Sequence, residues 1–245
     1  MYTLNSTPGQ TLISFNRPMA CLSWAPHNGG RRNGISHILN RTLSRNELRT
    51  LPQLQADLTR NLRDSELNPA AVVAMLTTVP QDYLGLAERE GSNGFMVTAA
   101  CTVGLGNALA PGEYAAYDEE SGSQAYRTGT INIMVFINRR LEECAALELS
   151  NTISLSKAAV MADLRLTGRR HGRLKLATGT DCNAVCWDPD HGVRLQYAGL
   201  HTRLAELTAN AVRSAMLKSL SLRLGLPDQP ESRLLTLAHS RLTAS

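Results

Sequence analysis

The seven residues Ile131–Ile137, INIMVFI, carry six large apolar side chains and one asparagine. A run of that kind does not alternate between apolar and polar, so it reads as a buried strand, entered here through a Gly129-Thr130 turn. A strand of this type has to be covered by further layers, and Asn132 has to find partners inside them, because an unpaired buried amide is costly. The strand leads into a helix predicted over about 141–164. There Leu141, Ala145, Leu149, Ile153, Ser156, Val160 and Leu164 fall at steps of three and four and make one apolar stripe. Strand signals return at RLKLATG and NAVCWD, a PDHG turn follows, and a last helix is predicted over about 201–224. Strands alternate with helices without a strict strand–helix–strand rhythm. This favours a mixed α/β (α+β) architecture, a layered mixed sheet packed with helices, over an all-parallel one.

The first half of the chain is less regular. TLISFNRPMACLSWA reads as two short strands joined by a turn at Asn16-Arg17-Pro18, and PHNGGRRNG, residues 26–34, as a loop. Leu48, Leu51, Leu54, Leu58 and Leu62 predict one helix that Pro52 kinks or restarts. VVAMLTTV (72–79) and GFMVTAACTVGLGNA (94–108) are apolar runs that end in threonine and small residues. PQDYLGLAEREG between them resembles a short helix stopped by Gly91, and an acidic loop follows Pro111. No linker is long enough to split the 245 residues, so residues 1–245 are expected to form one unit with a less constrained tail from 227 to 245.

Composition excludes several classes. A net charge of +4 is too small to argue for nucleic acid, and the one basic cluster, RLTGRRHGRLK at 165–175, has no interleaved aromatic residue to stack bases. The chargeless stretch near 91–112 is too rich in Gly, Ser, Thr and Asn to span a membrane. Five scattered cysteines and the absence of a signal-peptide pattern at the start predict reduced thiols in a cytoplasmic protein. CNAVC lacks the second pair that a zinc site needs, and no metal or cofactor site is expected.

Familiar catalytic signatures fail as well. GLGNAL at 104–109 lacks the third glycine of a dinucleotide fingerprint, and Pro111-Gly112 breaks the helix that should receive a pyrophosphate. There is neither a Walker loop nor a G-x-S-x-G elbow. What remains is a concentration of small-residue loops bearing threonine, asparagine and aspartate. Asp181 is the candidate base or orienter, with Thr180 and Thr130 beside it and His201 as proton donor. Backbone amides around Gly104–Gly106 or Gly129–Thr130 could stabilise an oxyanion. Gly30, Thr98, Gly104, Gly106, Asn107, Glu113, Gly129, Asn132 and Thr178 are the candidate substrate-binding residues. Each also has a structural explanation, as a turn cap, a strand end or a helix start, and it is their concentration that points to a site.

VAMLTTV, VTAACTVGLGNALAPGE, GTINIMVFIN, ATGTDCNAV and YAGLHTRLAELTANAV stand in the order and near the spacing of the adenosylcobinamide amidohydrolase family, which the chain resembles over roughly residues 20–220. The resemblance implies cleavage of the amide joining the aminopropanol arm of adenosylcobinamide to the corrin's propionate side chain, giving adenosylcobyric acid for corrinoid salvage. A corrinoid is then the small-molecule partner, cobalt enters only with it, and assembly as a homo-oligomer is left open. Two departures stand out. Ala177 replaces a glycine in the ATGTD piece, and the run SLSK, residues 154–157, keeps Lys157 but has Leu155 where the family commonly has a glutamate. A leucine there suits a packed helix; loss of a catalytic glutamate would instead leave a corrinoid-binding protein without turnover. The G-T-I-x-I strand and the later G-T-D turn are also similar to the aminopeptidase and ornithine acyltransferase group. That similarity implies a related layered fold and raises the alternative of a self-processing amidohydrolase.

Overall fold

The structure, a computed structural model, describes residues 1–47, 50–113, 117–118, 120, 129–168, 171–226 and 229–244. β1 (Tyr2–Thr7) and β2 (Gln10–Ser23) form a hairpin, and β3 (Gly30–Thr42) returns antiparallel along β2. α1 (Leu51–Asp64) leads to β4 (Val72–Thr77), which joins β3 in parallel. β5 (Gly85–Glu90) pairs antiparallel with β6 (Met96–Val103), and the two-residue β7 (Ala108–Leu109) follows. β8 (Ile131–Ile137), β9 (Arg140–Leu141) and α2 (Glu143–Asp163) come next, then β10 (Ala177–Thr178), β11 (Cys182–Trp187) and β12 (Arg194–Leu195). α3 (Arg203–Leu224) and α4 (Glu231–Thr243) complete the described elements. The main sheet runs β4-β3-β2-β11-β8-β6-β5, with β8 antiparallel to β6 and parallel to β11.

β8 shows why the fold is layered. All seven of its residues are buried. Ile131, Ile133, Val135 and Ile137 point to α2 and α3, where Leu149, Ile153, Val160 and Val212 meet them. Met134 and Phe136 point the other way, into a second cluster with Ile13, Ile38, Val73 and Met75 of β2, β3 and β4. The sheet therefore folds over on itself, and β3 and β4 lie across β8. α1 closes the outside of that second layer through Leu58 and Leu62 against Leu39, Val72 and Ala74. The order of layers is α1, folded-over strands, central strands, α2 with α3. The mixed, layered architecture expected from the sequence is the one observed.

Several local expectations change. Asn16-Arg17-Pro18 does not end a strand: β2 runs through it, and the register with β3 shifts between Ser14 and Met19. Pro18 has no N–H to give the ladder, so the strand bends there, and this carries its first half over to the second layer. β3 begins at Gly30, inside the stretch expected to be loop. Leu86–Glu90, read as helix, is an edge strand. Six residue pairs with β6, Gly85 to Cys101 through Glu90 to Met96, outweigh its helical propensity. Pro52 neither kinks nor restarts α1 but sits in its first turn, where its missing N–H costs nothing, and Leu48 lies outside the described residues. In the tail, α4 buries Leu234 and Ala238 against the helical layer. Most of the acidic loop after Pro111 and two arginines of the basic cluster, Arg169 and Arg170, lie outside the described residues.

Candidate functional site

The parallel pairing of β8 with β11 brings their entrances together, and Cys182 lies opposite Asn132. The β7–β10 ladder, Ala108 opposite Thr178, draws the Gly104–Asn107 loop to the same place. Gly104 donates its amide to the Thr130 carbonyl (2.8 Å), and Gly179 donates to the Asn107 carbonyl (3.1 Å). Thr130, Thr178, Thr180 and Asp181 thus meet Gly104, Gly106, Asn107 and Gly129 at one end of the sheet.

Asp181 organises the helix side of this end. Its Oδ1 accepts from the Ile131 amide at 3.2 Å and from the Thr178 hydroxyl. Its Oδ2 accepts from the Thr178 amide at 3.0 Å and from Lys157 Nζ. Four donors fill the roughly four lone-pair positions of a carboxylate. The Lys157 and Asp181 side chains are only 9% and 7% exposed. Asp181 thus ties together the start of β8, the β10 turn and α2. Cys101 lies near this pair, and burial, reinforced by the Asp181 charge, pushes its thiol up.

The other face of β8 carries a neutral network. Asn132 is 0% exposed and donates to Asn40 Oδ1 (2.7 Å) and the Leu76 carbonyl (3.1 Å). Asn40 donates to Gln81 Oε1 and Thr102 Oγ1, both at 3.1 Å, and Gln81 donates to Thr42 Oγ1 at 3.0 Å. Asn132 Oδ1 is buried without a partner among the described residues. Asn132 thus stitches the two strand layers together under the site. Asn40, followed by Arg41 and Thr42 at the end of β3, lacks the apolar framing of Asn132 and was missed.

Between the two faces, the mouth presents hydroxyls and amides. Thr130 Oγ1 donates to the Thr180 carbonyl, and Thr180 Oγ1 donates to the Gly129 carbonyl at 3.1 Å. Gly129 has φ +142°, and a Cβ there would stand 2.7 Å from both the Gly106 and the Asn107 amide nitrogens. Neither amide has an acceptor among the described residues. Two adjacent N–H groups beside two threonine hydroxyls can stabilise a developing oxyanion.

The structure does not bring the remaining candidates here. His201 is exposed before the start of α3, near Gly199, and the first turns of α3 lie by Gly91, at the end of the sheet away from Asp181. The last turns of α3, where the Ser219 hydroxyl accepts from the Val103 amide at 3.0 Å, are the ones near the mouth. Glu113 accepts from the Ala110 amide (3.0 Å) and stands against Gly168, leaving the β7–β10 ladder in the direction opposite to Asp181. Thr98 sits inside β6 opposite Phe136 and donates to Glu88 at 3.3 Å. Gly30 opens β3 opposite Ser23. Leu155, expected to pack, is 46% exposed on the outer face of α2, away from the buried Lys157. Trp24, which the sequence did not mark, borders a small cleft with Ile153, Ser154, Lys157 and Asp181. Among the described residues no group of three or more His, Cys, Asp or Glu could hold a metal ion, and no helix is long and apolar enough to cross a membrane.

An uncharacterized protein of Methanocaldococcus jannaschii, MJ1613, is 28% identical over 184 residues, which cover 67% of this chain and 71% of that protein. Among solved structures, a Burkholderia sp. beta-aminopeptidase aligns over 87% of this chain and 79% of its own, with 14% identity and a TM-score of 0.49. The L-aminopeptidase D-Ala-esterase/amidase of Ochrobactrum anthropi aligns over 90% and 83%, with 8% identity and a TM-score of 0.38. Residues 3–228 match the family described as adenosylcobinamide amidohydrolase (CbiZ). With nearly its whole length inside that match, the chain belongs to the adenosylcobinamide amidohydrolase family, a family of hydrolases.

Proposed function

We propose that the protein hydrolyses the amide between the aminopropanol arm and the corrin propionate of adenosylcobinamide. The products are adenosylcobyric acid and aminopropanol. The observation that carries this reading is the coincidence of the family match with a mouth built from two threonine hydroxyls and two acceptor-free amides, at Thr130, Thr180, Gly106 and Asn107. In the proposed reaction Thr130 Oγ bonds to the amide carbon, the carbonyl oxygen takes up the electron pair, and the Gly106 and Asn107 amides hold it. The C–N bond then breaks, and the hydroxyl proton leaves with the aminopropanol nitrogen. Water cleaves the resulting ester, restores the threonine and frees the carboxylic acid. Asp181 takes no proton in this scheme and instead holds the Ile131 amide, Thr178 and Lys157 in place.

Incubation with adenosylcobinamide, followed by mass spectrometry of the corrinoid, should show loss of the aminopropanol arm and gain of water. A folded protein that leaves adenosylcobinamide unchanged would refute the reaction. A Thr130→Ala variant with full turnover would refute only the nucleophile.

A second reading rests on one contact, the Thr180 hydroxyl on the Gly129 carbonyl. That donor polarises the peptide bond Thr130 would cut in self-processing. Thr130 Oγ would attack the Gly129 carbon, the peptide nitrogen would take the proton, and water would open the ester to free a new amino terminus. An intact mass of 26.6 kDa without fragments argues for the first reading. Two fragments meeting at Gly129 and Thr130 argue for the second.

A further inference from the structure

Trp24 is 53% exposed, whereas Trp187, the second tryptophan of the chain, is 2% exposed. A half-exposed indole alone is unremarkable on a protein surface. This one has two further properties. It flanks the candidate site, because its amide donates to the Asn183 carbonyl at 3.0 Å and its side chain borders a gap, no larger than about one water, beside Lys157 and Asp181. From Asn183 back to Thr180 is three residues, about 10 Å at the rise of an extended chain. The turn that presents Trp24 is also anchored. Asn28, held at φ +55°, donates to the carbonyls of Pro69 and Val72, both at 2.7 Å, and the His27 ring contacts the Pro69 carbonyl at 3.0 Å. Gly29 lies so close to the Ala25 carbonyl that no side chain fits. A left-handed Asn28 and three tethers thus hold a large apolar face outward, at the rim of the site.

We propose that Trp24 is the platform against which the corrin macrocycle lies while its aminopropanol arm reaches Thr130 and Thr180. This rests on the amidohydrolase reading and adds to it the residue that recognises the ring. A corrin offers a broad, conjugated face edged with amide arms, and such a face suits a fixed indole. Its propionate arm supplies the reach from the indole to the mouth.

The test uses the full chain and adenosylcobinamide, with binding read by isothermal titration calorimetry and turnover read by product formation. Trp24→Ala should raise both Kd and KM at least about tenfold and leave kcat within about twofold, and Trp24→Phe should recover most of the loss. Leu147→Ser, on an exposed part of α2, is the control for surface change and should alter neither. Hydrolysis by Trp24→Ala with an unchanged KM would overturn the platform and leave the amidohydrolase reading standing. Binding that Trp24→Ala weakens, without any product from the wild type, would keep the platform and overturn the hydrolase. No binding by the wild type, or a Trp24→Ala effect confined to oligomeric state, would also overturn the platform.

Discussion

The two faces of the β8 entrance both enclose polar groups and hold them differently. On the helix side, Asp181 and Lys157 are opposite charges, and every oxygen of the carboxylate is engaged. On the strand side, Asn132, Asn40, Gln81 and two threonines form a neutral chain that leaves Asn132 Oδ1 unpaired. A buried charge without its partner is far more costly than an unpaired amide, so the charged side should tolerate nothing and the neutral side should tolerate some loss. The charged side fixes geometry, and the neutral side joins two layers. The hydroxyls of Thr130 and Thr180 stand where the two meet.

That contrast can be broken in order of expected effect. Asp181→Ala strands Lys157 in the interior and should cost about 3–5 kcal/mol in urea unfolding. A loss below about 1 kcal/mol would mean that the pair is solvated and is not the organiser described. Gly129→Ala puts a methyl group 2.7 Å from the Gly106 and Asn107 nitrogens, at a φ that L residues rarely adopt. It should lower kcat by a factor on the order of 10² to 10³ with a smaller effect on stability, and steady-state kinetics beside a thermal melt separate the two. Asn40→Ala removes three hydrogen bonds of the neutral network and should cost about 1–3 kcal/mol, less than Asp181→Ala. An equal or larger cost would reverse the ranking of the two faces. Leu155→Glu, on the open face of α2, should change stability and kcat little, within about 0.5 kcal/mol.

The cysteines sharpen the comparison further, since Cys101 lies on the helix side and Cys182 on the strand side. Burial raises the Cys101 and Cys186 thiols and pushes Cys182 up to about 12. A raised pKa keeps a thiol protonated through neutral and mildly alkaline pH, so the nucleophilic thiolate is withheld there. Iodoacetamide at about pH 8 should modify the exposed Cys144 quickly and the other four only after unfolding. Rapid native-state labelling of Cys101 alone, followed by mass spectrometry, would show that the helix side opens.

Much of this molecule is legible in its sequence for local reasons. INIMVFI demands cover on both faces whatever the rest of the chain does, the stripe in α2 and the run of α3 follow from helical spacing, and the Thr-Gly-Thr-Asp turn can be read from its own small residues. The order of the layers cannot be read in this way. LAERE became a strand because β6 offered it a ladder, β2 ran through Asn16–Pro18 because two different partners claimed its halves, and α4 formed against apolar surface supplied by distant residues. The same holds for the site. Local chemistry named Asp181, Thr130, Thr180, Asn107 and Gly129, which tertiary pairing then brought together, but it also named His201, Glu113 and Thr98, which lie elsewhere. It passed over Asn40 and Trp24, whose neighbours are set by the fold-over of β3 and β4 and by the anchored turn after β2. Residue type and spacing determine what a segment must bury and which groups can react; which groups share one mouth depends on strand register between segments far apart in sequence, and only the packed structure decides that.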